Sequence, residues 1–202
     1  DTSASSNDIE PSHEFPGELT EPCSGQPDNF SFFVTSMRAL WQLSDSPTPD
    51  AGAQIILDEG FGGDFQGLGG ADSICQIIGI AAGHGHKRWR AFLSATDDGE
   101  GNPVHAIERI GAGPWHDANG RLVAQNIEGL LSERPDGDLQ SIDDLPDECG
   151  TPATSLGDAH DTLTGTNTEG QLRSTNPEST CNDWTSSSGN VGNNAGGGGG
   201  GG

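Results

Sequence analysis

Residues 67–96 read GLGGADSICQIIGIAAGHGHKRWRAFLSAT, and the fold turns on how this stretch is read. Ala71, Ile74, Cys75, Ile78 and Ala82 fall at i, i+3, i+4, i+7 and i+11, one apolar stripe of a helix. Gly83 and Gly85 stop that helix, since glycine takes the positive φ of a helical C-terminus without steric cost. The period then changes to two: Trp89, Ala91 and Leu93 alternate with Arg88, Arg90 and Phe92, which predicts a half-buried strand. One main amphipathic helix with a buried cysteine, running into a tryptophan-bearing strand, is the centre of an α+β domain.

Upstream, Phe30–Leu43 (FSFFVTSMRALWQL) is the first segment with core content. Phe33, Val34 and Thr35 favour a strand, and the strand is read on through Met37–Leu43. Ser44–Phe65 is a Pro/Gly/Asp-rich excursion around the apolar run Ile55-Ile56-Leu57. Downstream, Asp97–Asn102 (DDGEGN) is a turn by composition, and His105–Ile110 with Gly113-Pro114-Trp115 forms a further packed segment. Asp117-Ala118-Asn119-Gly120 reads as a hairpin turn of type I′, with Arg121–Ala124 as the returning strand. Asn126–Ser132 fits one short helical turn, capped by Asn126 with Glu128 in its first turn. Residues 133–160 form an acidic loop holding Cys149, and His160–Gly165 and Cys181–Ser186 read as two more strands.

Three regions follow. Residues 1–27 are an acidic, Ser/Pro-rich stalk or linker, 28–186 are the folded domain, and 187–202 are a Gly/Ser/Asn tail with nothing to bury. Cys23 is the exception in the stalk, since a thiol there ties the segment down.

The chain has 31 acidic against 8 basic residues, a formal charge of −23, which repels nucleic acid and anionic membranes and argues against both as partners. No stretch approaches the roughly 18 apolar residues that a membrane span needs. A first residue other than Met, four cysteines without a CxxC pair and a single Met lead to the expectation of an exported chain with its leader removed. Four cysteines can pair among themselves in three ways.

The ordered set FFVTS, GFGGDFQGLGGADSICQ, WRAFLSAT, AIERIGAGPW, DANGRLVA, HDTLTGTNTEG and CNDWTS resembles a family of exported bacterial lectin-like proteins. More remotely it is similar to the collagen-derived endostatin domain, which has the C-type-lectin-like fold. The resemblance covers roughly Phe30–Ser186. It implies an α+β C-type-lectin-like domain of two helices, short antiparallel strands and long loops, with two disulfides, a binding or adhesion role and no catalysis. In the family, the cysteine matching Cys75 pairs with one in the last strand, and that matching Cys181 pairs with one between them. Neither partner occurs here, so the resemblance implies that C-terminal strands are absent or masked where the sequence runs into glycine. Cys23 and Cys149 resemble an extra pair found in part of the family. Bridging so long a loop stabilises by about 4–5 kcal/mol on the chain-entropy model.

Lectins of this fold hold Ca²⁺ and sugar through a Glu-Pro-Asn or Gln-Pro-Asp tripeptide. The matching loop, Thr166–Gly170, offers Asn167 and Glu169 but lacks the proline, and Asn182 with Asp183 adds an amide and a carboxylate. These four are the candidate ligand-binding residues. Gln26-Pro27-Asp28 stands before the first core segment, where the motif has no role. A separate candidate Ca²⁺ site is Asp97, Asp98, Glu100 and Asn102, oxygen donors on a loop that Gly99 and Gly101 allow to wrap. Asp143, Asp144, Asp147 and Glu148 form a second cluster of the same kind. The competing reading of both is an acidic turn in an acidic protein.

His84 and His86 are a weak zinc signal, with solvated link residues as the competing reading. His105, His116 and His160 are dispersed. Ser94, His160 and Asp161 could be assembled as a triad on paper, but no nucleophile-elbow sequence supports it. The basic run Lys87-Arg88-Trp89-Arg90 is expected to pair with the protein's own carboxylates, and the tryptophans to anchor the core. The sequence therefore predicts a non-enzymatic extracellular or cell-surface binding module for a ligand or glycan. The alternative is a structural subunit or decoration of an extracellular filament, sheath or matrix, in which neighbouring copies are the partners.

Overall fold

The computed structural model describes residues 8–20, 22–46, 60–132, 136–156 and 162–188. Helix α1 (Met37–Leu43) is followed by α2 (Gly67–Ala81), the strands β1 (Trp115–His116) and β2 (Leu122–Ala124), and the short helices α3 (Ile127–Leu130) and α4 (Leu139–Asp143). The 3-10 turns Ala106–Glu108, Ala153–Leu156 and Pro177–Thr180 and a left-handed turn, Cys181–Trp184, complete the order. Among the described residues the strands form one antiparallel pair, β1–β2, and other strand contacts are isolated bridges such as Val34 with Asp147 and Ala95 with Val104. The class is α+β, with little sheet.

Helix α2 is the hub. Its Ala71, Ile74, Ile78 and the following Ala82 are all buried, as the stripe requires. Ile74 and Ile78 pack against Ala39 and Leu43 of α1. Ala82 and Cys75 meet Phe30 and Trp89, while Ala71 meets Leu93 and Trp184. A Cβ at Gly79 would collide with the Trp89 indole nitrogen, so glycine there lets the ring cross directly over the helix. Trp115, Val123 and Ala124 form a separate cluster on the hairpin.

The structure corrects five local expectations. Met37–Leu43 is helix rather than strand: Ser36 caps it by accepting from Ala39 N at 3.0 Å, and Ala39 and Leu43 then meet α2 at helical spacing. Trp89–Leu93 lies outside any strand ladder, because side chains take its backbone groups. Gln76 Oε1 accepts from Trp89 N at 3.0 Å and Asp72 Oδ1 from Ala91 N at 2.9 Å, and Arg109 Nη1 donates to Ala91 O at 2.6 Å. The turn after β1 is not type I′, since Asn119 keeps negative φ and only Gly120 is positive, at 77°. Buried Asp117 directs it instead, its Oδ1 accepting from Asn119 N and Arg121 N, both at 2.9 Å.

Cys181–Ser186 is likewise no strand. Cys181, Asn182, Asp183 and Trp184 hold φ of 51°, 55°, 54° and 65°. A left-handed residue with a Cβ costs about 1–2 kcal/mol, so four in succession need compensation. Cys181 O accepts from Thr185 N and Ser186 N at 3.2 and 3.1 Å. Trp184 is fully buried, donates Nε1–H to Ser94 O at 2.8 Å and stacks on Phe65. Asn126 caps α3 as its sequence predicts, accepting from Gly129 N at 2.9 Å. Thr162–Thr164 of the expected strand at 160–165 belongs to no strand, although Thr164 O accepts from Ser94 N at 3.0 Å. Ile55-Ile56-Leu57, His160 and Asp161 lie outside the described residues, as does the tail from 189 onward.

Candidate functional site

The predicted ligand-binding residues flank one edge of the domain. The segments 164–167 and 180–184 both pack on Ser94–Thr96: Ser94 Oγ bonds Thr166 Oγ1 at 3.0 Å, and Asp183 accepts from Thr96 N and Thr96 Oγ1, each at 2.6 Å. The decisive side chains turn inward. Asn167 Oδ1 accepts from Glu169 N and Gln171 N at 3.0 and 2.9 Å, closing its own turn. Asp183 also accepts from Thr180 Oγ1 at 2.9 Å. Burial raises the Asp183 carboxyl, and the Thr96 and Thr180 hydrogen bonds outweigh it, so its pKa lies below the ordinary value. Only Glu169 and Asn182 face solvent.

The candidate calcium loop also satisfies itself. Asp97 Oδ1 accepts from Gly99 N and Gly101 N at 2.7 and 2.8 Å. Asp98 Oδ1 accepts from Glu100 N at 2.7 Å, and Asp98 Oδ2 from Asn102 Nδ2 at 3.1 Å. These bonds, that from Glu100 N first, hold the Asp98 carboxyl below its ordinary pKa. Asp97 Oδ1 and Asp98 Oδ1 thus face the loop's own N–H groups, while the Glu100 side chain is exposed. The second cluster is divided: Asp144 accepts from Thr154, Asp147 from Cys149 N and Thr151 N, and buried Glu148 from Ser36 N and Oγ at 2.9 and 2.5 Å, while the Asp143 side chain lies outside the description. Burial raises the Glu148 carboxyl above its ordinary value, against the Ser36 hydrogen bonds.

The structure bridges Cys23 to Cys149, with Cα atoms 5.1 Å apart, and leaves Cys75 and Cys181 as free thiols in separate clusters. Burial first, then the Asp72 charge, pushes the Cys75 thiol up to about 12, so it is an inert packing group. His84 and His105 take structural roles. His84 is buried against Phe30, burial lowers its pKa, and His105 Nδ1 accepts from Leu172 N at 3.0 Å. Of the paper triad, Ser94 Oγ is committed to Thr166 and to Ala106 N.

One concavity among the described residues that the sequence does not foretell opens to solvent. A groove of about 260 Å³ lies between the link after α2 and the loop before β1, lined by Ser31, Lys87, Arg88, Trp89, Ile110, Pro114 and Trp115. Its walls are fixed from both sides. Gln76 Nε2 donates to Gly85 O and Lys87 O at 3.1 and 3.0 Å, so α2 itself holds the link. Lys87 Nζ donates to Asp28 O and Phe30 O, and Ser31 N to His116 O at 2.9 Å, which pins the 28–31 segment to the hairpin. Lys87 was expected to meet carboxylates and binds carbonyls instead, whereas Arg90 does pair with Asp72, at 3.5 Å. Arg88 is exposed and makes no ion pair among the described residues. The legible signal was the Gly-Pro-Trp turn; what the sequence withheld was its approach to Lys87–Trp89.

The residues that organise this region, Asp72, Gln76 and Arg109, were also missed. Arg109 Nη2 donates to both Asp72 oxygens at 2.8 Å while Nη1 serves Ala91 O. The available signal was two polar residues four apart beside the apolar stripe of α2. No protein-family model, no curated protein and no solved structure matches the chain. Among the described residues no helix is long and apolar enough to cross a membrane.

Proposed function

We propose that the chain is a non-enzymatic binding or adhesion module of C-type-lectin-like type, acting outside the cell or at its surface, with a ligand or glycan as partner. The observation that carries the reading is the groove beside Trp89 and Trp115, an open concavity floored by two buried indoles and edged by the exposed Arg88 guanidinium on an otherwise strongly acidic chain. Arg88 offers a planar fork of donors to hydroxyl or carboxylate oxygens, and the buried indoles beneath it report on anything that binds there. The link after α2 and the loop before β1 suit a binding face, since loops on a rigid scaffold carry recognition. Asn167 and Asp183 are committed to backbone, which moves the proposed face from the lectin calcium position to this groove.

The test is a titration of the native full chain with neutral and acidic oligosaccharides, following indole fluorescence. The expected result is a saturable change, with Arg88→Ala weakening binding about tenfold at an unchanged melting midpoint. A flat response to every probe would overturn the reading. Concentration-dependent assembly in sedimentation, with no oligosaccharide response, would replace it by the structural-subunit alternative.

A further inference from the structure

We propose that the Cys23–Cys149 bridge is a redox-releasable clasp, which holds the N-terminal strap against α1 and α2 until an external dithiol reduces it. This inference is independent of the groove and its ligand. The two ends of the bridge are anchored very differently. On the Cys149 side, Val34 bridges to Asp147, and Glu148 accepts twice from Ser36, the residue that caps α1. That loop stays in place without the disulfide. On the Cys23 side the strap 8–20 has no regular secondary structure. It is held by scattered bonds, Ile9 N to Gly85 O at 2.8 Å, Ser12 N and His13 N to Ser73 Oγ at 3.1 Å, Gly17 N to Leu43 O at 3.1 Å, and a solvent-exposed pair between Thr20 and Gln42 of α1 at 3.2 and 2.8 Å. Its apolar anchors, Phe15 and Leu19, cover Ala39, Leu43, Ile74 and Ile78. Freeing the strap uncovers the apolar seam between the two helices.

The chemistry of release is built in. Cys149 lies at the surface, open to an attacking thiolate. Arg38 Nη2 stands 3.3 Å from Cys149 Sγ and 3.6 Å from Cys23 Sγ. A guanidinium so placed stabilises a departing thiolate. The dithiol's first thiolate attacks Cys149 Sγ, the protein S–S bond breaks, and its electron pair stays on Cys23 Sγ beside Arg38. The second thiolate attacks the reductant's own sulfur in the mixed disulfide, closing the reductant's disulfide and releasing Cys149 as thiolate. Two electrons pass to the protein, two protons from solvent complete the thiols, and the dithiol is oxidised.

Hydrogen exchange of the full chain, before and after incubation with a small dithiol, tests the clasp. At least a tenfold loss of protection is expected in residues 9–20, with α2 unchanged within twofold. Cys23→Ser/Cys149→Ser should show the same pattern without reductant. Should that variant fail to fold, the dithiol titration of the oxidised protein decides alone. In a thiol–disulfide buffer, Arg38→Gln should shift the equilibrium at least threefold toward the disulfide. An unchanged strap, or protection lost through α2 as well, would overturn the clasp. An unshifted Arg38→Gln equilibrium would overturn it as a tuned redox element.

Discussion

Asp72 on α2 and Asp98 in the 97–102 turn are the same residue type in the same acidic chain, and the protein uses them in opposite ways. Asp72 reaches across the fold to Ala91 N and to Arg109, which in turn holds Ala91 O. Asp98 reaches four residues, to its own loop. With so few paired strands, buried backbone groups still need partners, and side chains from α2 supply them where a neighbouring strand would otherwise do so. In the acidic 97–102 cluster Asp97 and Asp98 instead close their own turn, accepting from N–H groups two to four residues on.

The sharpest way to break the comparison is to remove the carboxylates. Asp72→Ala strands Arg109, whose side chain is 9% exposed, so a loss of about 3 kcal/mol is expected in denaturant unfolding. Asp98→Ala is expected to change stability by less than about 0.5 kcal/mol. Equal losses would mean that helix-borne side chains are not what holds residues 89–93.

A smaller effect separates two inward carboxylates by pH. Asp183 is lowered, so its contribution is present above the ordinary carboxylate pKa and is lost as pH falls through its folded value. Glu148 is raised, so stability is fullest below its ordinary value and is lost as pH rises through the folded one. Melting curves between pH 3 and 7 should therefore flatten on the acid side in Asp183→Asn and lose the opposite slope in Glu148→Gln. Parallel curves for both variants and the parent would refute the assignment.

The smallest effect concerns calcium. Asp97→Asn/Asp98→Asn should leave the Ca²⁺-induced shift in melting midpoint unchanged, since these oxygens are committed to backbone N–H groups. A shift that disappears in the double variant would restore the loop as a metal site.

The hub helix was legible because Ile74, Ile78 and Ala82 carry their burial in their spacing alone, a property of one helix against any core. The Asn126 cap and the position of the turn at Asp117–Gly120 were legible for a related reason: side chain and backbone partners lie within four residues. The strand assigned to Met37–Leu43 failed because Phe33 and Val34 set a β expectation that the Ser36 cap interrupts.

What the sequence by itself determined, then, is the interactions that close within a few residues: one amphipathic helix, its glycine stop and a capped turn. Tertiary structure decided the rest. The ladder-free segment 89–93, the left-handed turn at Cys181–Trp184, the Cys23–Cys149 bridge and the groove at Trp115 each depend on partners far apart in the chain. Asp183 reaches Thr96 across 87 positions, and Cys23 reaches Cys149 across 126. Spacing records periodicity along a single element, whereas these contacts come from how α2 brings separate segments together, and no local pattern encodes that.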